Sequence, residues 1–181
     1  MEYRNTKVVC SVSGPRPLAS GETFTDQGVL HCHFKFATFS RRDCRKAYQP
    51  DGEEKEFSSI MEEALAGSLR LEKYPKSRFD CFVLVLEDDG GALPAAITAA
   101  SLALADAGVE MYDMVTACSA ALIEQNGTSA VVLDPTWDEE FHATGLLTLA
   151  FSPSLSAVTH LLQTGHFSAP QMAEVSTLPS P

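Results

Sequence analysis

The chain has 181 residues, of which 45% are hydrophobic and 20% charged, so it can bury one substantial core and is too apolar to be disordered. It contains no apolar run of the roughly 18 residues that a transmembrane helix needs, and its polar start predicts no signal peptide. The formal net charge of −11 argues against a stand-alone nucleic-acid-binding module, because phosphate binding depends on Lys and Arg.

The charge is distributed unevenly along the chain. All 13 Lys and Arg lie at or before Arg78, together with 11 acidic residues, whereas the rest of the chain carries 13 acidic residues and no Lys or Arg. We therefore expect any contact with RNA to come through the first part of the chain, with basic partners beside it.

The first predicted elements are two strands. Residues 7–13 are rich in Val and Cys and end at Gly14-Pro15, which predicts a buried strand followed by a turn. Residues 29–39 alternate in polarity, which predicts a half-buried strand. Its apolar face consists of Leu30, Cys32, Phe34, Phe36 and Thr38. The polar residues 40–54 are predicted to form a loop.

In the middle of the chain, the sequence pattern predicts two helices separated by a strand. Residues 56–70 carry one apolar stripe at helical spacing. The stripe consists of Phe57, Ile60, Met61, Ala64, Leu65 and Leu69. The dense apolar run 79–86 predicts a central strand buried on both faces, and 87–91 predicts a turn. Residues 94–107 predict a buried helix that ends at Gly108.

The rest of the chain is predicted to be mostly strand. The predicted strands are 113–124, 129–133, 146–151 and 157–163. The first two enclose an Asn126-Gly127 turn and the last two a turn at Pro153. Residues 135–143 predict a turn or a short helix.

The diglycine turn, Gly90-Gly91, is the first candidate for a functional site. Because it precedes a helix, it brings free backbone N–H groups and the positive end of the helix dipole to one place, which is a general anion-binding arrangement. A plain tight turn remains the alternative interpretation.

Five segments of the sequence are similar to the signature motifs of one known family. They are 5–15, 56–58, 87–91, 101–109 and 132–136. In this order and spacing they resemble the RNase PH family over roughly residues 2–175. The resemblance implies an α+β or α/β fold, in which a mixed β-sheet has two main helices packed on it.

The resemblance also implies how the chain is organised. We expect a single RNase PH-like domain over 1–175 and a disordered tail over 176–181. The family usually has further strands before the position of Glu2 and a long helix at its C-terminus. The resemblance therefore implies a domain that is truncated at both ends.

The family's chemistry can be carried over by position. Active members attack the RNA 3′ end with inorganic phosphate, which requires cations to hold the phosphate. The resemblance places the phosphate-binding Arg of the family at Leu93, a second Arg near Glu63 and an essential Asp near Leu146, while a neighbouring acid remains as Glu140. With no Lys or Arg after Arg78, we expect no cation at the diglycine turn, no catalytic residues and no cofactor.

The function implied is that of a non-catalytic structural subunit of the RNA exosome ring. Such a subunit supports 3′-to-5′ RNA processing and degradation, including rRNA processing and mRNA decay, by scaffolding the RNA channel. Its implied partners are other RNase PH-like ring subunits, cap proteins and RNA in the assembled pore, in the nucleus, the nucleolus and the cytoplasm, without a membrane. The alternative is a phosphate- or metal-dependent 3′-5′ exoribonuclease, with acidic runs at 87–89 and 138–140 that could hold Mg²⁺.

A basic loop is the candidate RNA contact. It consists of Arg41, Arg42, Arg45 and Lys46, with Arg16 as a weaker candidate of the same type. In the family, the corresponding loop lies near the central pore, whereas the alternative interpretation is an ordinary solvated loop.

The residues His31, Cys32 and His33 could suggest zinc. On a strand the two His share a face and Cys32 points to the other, and no second cluster completes four ligands. We therefore expect no metal site.

Overall fold

In the part of the chain that the structure describes, the strands divide into two four-stranded sheets. The computed structural model describes residues 1–18, 26–41, 45, 48–49, 51–125 and 128–167. The strands are β1 (Glu2–Tyr3), β2 (Thr6–Pro17), β3 (Val29–Phe36), β4 (Ser77–Glu87), β5 (Thr116–Gln125), β6 (Thr128–Leu133), β7 (Gly145–Ser152) and β8 (Ala157–Gly165). The helices are α1 (Gly52–Ala66), α2 (Ala92–Asp106) and α3 (Trp137–Phe141), with a short 3₁₀ turn at Leu71–Lys73.

The two sheets differ in strand direction. The first has the order β1-β2-β4-β3, with β3 parallel to β4 and the other pairs antiparallel, and the second has the order β6-β5-β7-β8 and is wholly antiparallel. Helix α1 packs on β3, and α2 packs on both β2 and β5. The expected α+β fold, with a mixed sheet carrying two main helices, is confirmed, and the later strands form a sheet of their own.

The predicted turn at Gly14-Pro15 is wrong, because β2 continues to Pro17. Strand β4 begins at Ser77, early enough to pair with Arg16 and Pro17, and a shift in register between Ser13 and Arg16 accommodates the Gly-Pro pair. Glycine is required here because a Cβ at Gly14 would lie 2.6 Å from the ring of Phe79.

The central strand β4 is buried on one face only, which corrects the prediction of burial on both. Phe79, Cys81 and Val83 are buried, whereas Phe82 is 46% and Leu84 39% exposed. Helix α2 packs against β4, and the buried side chains of this strand join the core that α1 and α2 also line. The alternation predicted for β3 is confirmed, and that strand ends at Phe36 rather than at residue 39.

Helix α1 begins four residues before the predicted start. Asp51 caps it, because its side chain accepts hydrogen bonds from Gly52 N at 2.7 Å and from the backbone N–H of Glu54, and Glu54 Oε2 in turn accepts one from Asp51 N at 3.2 Å. This reciprocal arrangement is a capping box, which fixes the first turn of the helix. The predicted apolar stripe is confirmed. Its buried members are Ile60, Met61, Ala64, Leu65 and Leu69.

Side chains of α1 also satisfy the outer edge of β3. Glu54 Oε1 accepts a hydrogen bond from Phe36 N at 3.0 Å. Ser58 Oγ accepts one from Phe34 N at 3.0 Å, and Glu62 Oε1 accepts one from Cys32 N at 2.8 Å. Four helical residues rise about 6 Å and two strand residues about 6.6 Å, so the two spacings match. We call this set of three contacts the α1–β3 row.

The remaining elements agree with the sequence. Gly91, the residue before α2, and Gly108, just after it, both have positive φ (61° and 72°). The strand pairs β5–β6 and β7–β8 and the short helix α3 are confirmed. The Asn126-Gly127 turn and the 176–181 tail lie outside the described residues. In the described part of the chain, no helix has the length and apolarity to cross a lipid bilayer.

Candidate functional site

A pocket of about 240 Å³ lies where α2 begins, between the two sheets. Its floor comes from β5, β7 and β8 of the second sheet. The floor residues are Ser119, Leu146, Thr148, Leu162 and Thr164. Its walls come from the end of β3 and the segment after it, from α1, from the turn between β4 and α2, from the start of α2 and from α3. The wall residues include Phe36, Arg41, Glu53, Phe57, Asp88, Gly91, Leu93 and Glu140.

The diglycine turn fixes the upper rim of this pocket. Gly90 has φ 97°, and a Cβ there would lie 2.5 Å from the carbonyl oxygen of Pro135, so only glycine allows α3 to approach so closely. Trp137 N donates to Asp89 O at 2.8 Å, which docks the start of α3 on the turn. The segment 135–140 is therefore held against the start of α2.

Glu140 occupies the anion-binding position at the start of α2. Its Oε1 accepts a hydrogen bond from Gly91 N at 2.8 Å. Burial raises the pKa of Glu140, and the Gly91 N–H and the nearby Arg41 only partly oppose that effect. A carboxyl group of the chain itself thus takes the place that the sequence predicted for an external anion.

Arg41 also lines the pocket, so the prediction that no cation reaches the diglycine turn is wrong. Its Nε donates to Asp88 Oδ2 at 3.0 Å and its Nη2 to Glu53 Oε1 at 2.9 Å. The guanidinium carbon lies 4.9 Å from the centre of the Phe36 ring, and 27% of the side chain is exposed. Burial alone would lower the pKa of Arg41, but Asp88 and Glu53 together raise it.

The direction of β3 explains why Arg41 is here. Because β3 is parallel to β4, their C-terminal ends lie at the same edge of the sheet, and Asp88 N donates to Ser40 O at 3.0 Å. The sequence contains this information only in the form of a strand–helix–strand unit, which commonly gives parallel pairing. Sequence reasoning likewise missed Glu53, because it placed the start of α1 too late.

The structure brings together three of the four positions carried over from the family. Leu93 is buried in the wall, Leu146 lies in the floor and Glu140 lines the rim. The fourth position, Glu63, lies outside the pocket. Its Oε2 is 3.6 Å from Nδ1 of His160, and 71% of its side chain is exposed.

The basic loop is only partly described. Arg45 is exposed, while Arg42 and Lys46 lie outside the described residues. Arg16, in β2, has its Nη1 4.0 Å from Oδ2 of the buried Asp80. Arg41 points into the pocket as described above, and the RNA contact of the whole group stays a prediction.

Among the residues considered for metal binding, Cys32 lies on the buried face of β3, whereas His31 and His33 lie on the other face, as predicted. Cys32 is buried, the His33 ring stacks on Phe82 with 4.9 Å between centres, and His31 Nδ1 is 3.8 Å from Glu62 Oε1. Within the described ranges, no three His, Cys, Asp or Glu side chains are grouped so that they could hold a metal ion.

Both halves of the chain match known family models. Domain 1 of the 3′ exoribonuclease family (RNase PH) matches residues 1–110, and domain 2 of the same family matches residues 113–178. The chain therefore belongs to the RNase PH family of 3′ exoribonucleases.

Within the family, the chain is similar to exosome components. It is 43% identical over 178 residues to the mouse exosome complex component MTR3, and the alignment covers 91% of this chain and 64% of the mouse protein. It is 38% identical over 179 residues to the exosome complex component Rrp41 of Pyrobaculum islandicum, covering 98% of this chain and 71% of that protein. The chain thus spans about two thirds of the length of these relatives.

The fold also matches a solved structure. The crystal structure of rice Rrp46 superposes with a TM-score of 0.81 at 22% sequence identity, covering 96% of this chain and 76% of the rice chain. At this identity the match shows the shared fold.

Proposed function

We propose that this chain is a non-catalytic structural subunit of the RNA exosome ring, where it supports 3′-to-5′ RNA processing and degradation by helping to form the RNA channel. The names of its relatives support the assembly, since the mouse and archaeal proteins are both exosome complex components. Its partners would be other RNase PH-like ring subunits and cap proteins.

The composition of the pocket is the observation that carries the non-catalytic part of the proposal. Leu93 and Leu146 stand where the resemblance places an Arg and an Asp, so two charged groups are replaced by apolar ones. The one Arg in the described lining, Arg41, is neutralised by Asp88 and Glu53. A phosphate entering here would meet an excess of carboxyl groups, which repel it.

A phosphorolysis assay tests this proposal against the alternative of an active exoribonuclease. Purified chain is incubated with a labelled single-stranded RNA, once with inorganic phosphate and once with Mg²⁺ without phosphate. An active RNase PH-family enzyme serves as the positive control. We expect neither nucleoside diphosphate nor nucleoside monophosphate release, and phosphate-dependent diphosphate release would overturn the proposal.

Assembly is tested separately. The tagged chain is co-expressed with RNase PH-like exosome subunits and purified, and we expect it to retain at least one of them. Loss of all subunits at moderate salt would contradict a place in the ring. For the same protein in cells we propose a location in the nucleus and nucleolus and also in the cytoplasm, which imaging of the tagged chain tests.

The basic loop is proposed to contact RNA in the assembled complex. Replacing Arg42, Arg45 and Lys46 by Gln should weaken RNA binding and reduce its salt dependence, because each phosphate contact releases counterions. The matched control is Lys55→Gln, which removes an exposed cation on α1 outside the loop. An unchanged salt dependence in the triple variant would contradict the RNA contact.

A further inference from the structure

The charges that line the pocket suit a cation better than an anion. Arg41 is the one cation among the described lining residues, and it faces three carboxyl groups, those of Glu53, Asp88 and Glu140. Its hydrogen bonds are already directed to Glu53 and Asp88. Glu140 uses Oε1 for Gly91 N, and among the described residues no donor contacts its Oε2. Among the described residues, Glu140 Oε2 therefore remains as an acceptor, and the carboxyl groups of Asp88 and Glu140 line the pocket with the single guanidinium group of Arg41.

Ser119 supplies an observation that is independent of the acids. It lies in the pocket floor on β5, only 4% of it is exposed, and its Oγ has no hydrogen-bond partner within the described part of the chain. Buried hydroxyl groups nearly always have a hydrogen-bond partner, since an unpaired one is unfavourable. An unpartnered hydroxyl that lines a pocket points to a polar group supplied from outside.

The rest of the lining is apolar. Phe57, Leu93, Leu146 and Leu162 provide walls and floor away from the acids. The volume of about 240 Å³ lies below the roughly 300–1,000 Å³ of pockets that hold drug-sized ligands, so the site suits a group the size of one side chain. An apolar stem with a charged head matches this division between apolar and acidic surfaces.

We propose that the pocket binds a guanidinium or primary ammonium group on a short alkyl chain, with the cation beside Glu140 and Asp88 and the alkyl part against Leu93 and Leu146. The same chemistry is carried by a basic side chain of a partner protein and by a free polyamine. Because no Lys or Arg follows Arg78, the second half of the chain has no cation of its own to place there. This binding goes beyond the proposed ring function and does not depend on it.

The site should also respond to pH in a defined direction. Burial raises the pKa of Glu140, and the charged groups around that carboxyl are Arg41, Glu53 and Asp88. A bound cation favours the ionised carboxylate and therefore lowers its pKa, so binding releases protons. We expect affinity for the cation to increase as the pH rises through the range in which Glu140 ionises.

Calorimetric titration of the full chain with n-butylguanidinium tests the proposal. Fluorescence of Trp137, the single Trp of the chain, gives a second readout because it lies one helical turn from Glu140 on α3. We expect saturable binding whose affinity decreases with added salt. In Glu140→Gln the affinity should fall at least about tenfold, which corresponds to the loss of one charged hydrogen bond. Glu56→Gln, which removes an exposed carboxylate from α1, should leave binding unchanged.

Four further titrations use the unmodified protein, so their results hold even if a variant folds poorly. N-butylurea has nearly the shape of n-butylguanidinium but no charge, whereas inorganic phosphate has the opposite charge. We expect neither compound to bind. Spermidine and N-acetyl-arginine amide distinguish the two sources of the cation by their relative affinity. Absence of n-butylguanidinium binding, equal binding of the urea, or equal affinity in Glu140→Gln would overturn the proposal.

Discussion

The two sheets of this protein are stabilised in different ways. In the first sheet, the edge strand β3 is satisfied by the α1–β3 row, and the apolar face joins one large core that includes Phe36, Phe79 and Leu65. In the second sheet, within the described residues, neither edge strand receives such a set of helix acceptors, and a separate small cluster forms around Ala120 and Leu147.

The difference shows how the pocket is divided between the sheets. The first sheet and its helices position the charged groups Arg41, Glu53 and Asp88, which need fixed geometry. The second sheet contributes mostly a floor of Leu and Thr side chains, which needs less precise placement. The charged groups and the floor of one pocket thus come from regions of the molecule that are stabilised in different ways.

The largest expected effect compares the two apolar clusters directly. Leu65→Ala in the main core should lower the free energy of unfolding by about 4 kcal/mol, and Leu147→Ala in the small cluster by about 2 kcal/mol. The larger loss is expected at Leu65 because the surrounding main core can relax less into the cavity that the substitution leaves. Urea unfolding of both variants measures the difference, and equal losses would show that the sheets are packed alike.

A smaller effect tests the α1–β3 row. Glu54→Ala removes the acceptor of Phe36 N and one half of the capping box, so we expect a loss of about 2–3 kcal/mol in the free energy of unfolding. Glu56→Ala, on the exposed side of the same helix, should change it by less than about 0.5 kcal/mol. If the two variants unfold at the same urea concentration, the row does not stabilise the first sheet.

The smallest effect concerns the pH dependence that Glu140 adds. Because burial raises its pKa, the native state binds this proton more tightly than the unfolded chain does. Its contribution to stability is therefore greatest below the ordinary pKa of a glutamate and decreases as the pH rises through the raised pKa. Glu140→Gln should lack that decrease.

Unfolding across roughly pH 4 to 8 measures this difference, with Glu56→Gln as the control. The stability of Glu140→Gln relative to the unmodified chain should rise with pH. A difference that stays constant, or that falls, would contradict the inferred burial of an ionisable group at the start of α2.

The local elements were predictable because their signals lie close together in sequence. The alternation in β3 and the apolar stripe of α1 needed only their own residues. The start of α1 was missed although Asp51 and Glu54 have the spacing of a capping box, since the polar residues before them were assigned to a loop. The prediction that β4 is buried on both faces failed because composition does not reveal which faces the helices cover.

The pocket was less accessible to sequence reasoning. The proximity of Leu93, Leu146 and Glu140 followed only from the family resemblance, because three separate elements bring them together. The contact of Arg41 with Asp88 joins residues 47 positions apart and depends on strand direction. Nothing in the local pattern distinguishes Ser119 from the other small residues of β5.

Because β3 and β4 are parallel, the number of residues between the end of β3 and Arg41 determines where the guanidinium group lies. Only four residues separate Phe36 from Arg41, and Ser40 O is fixed by Asp88 N. Removing one residue there would displace the guanidinium by about 3.3 Å, which is more than a hydrogen bond tolerates. Substitutions within 37–40 that keep the spacing should therefore be accepted more readily than insertions or deletions in the same segment.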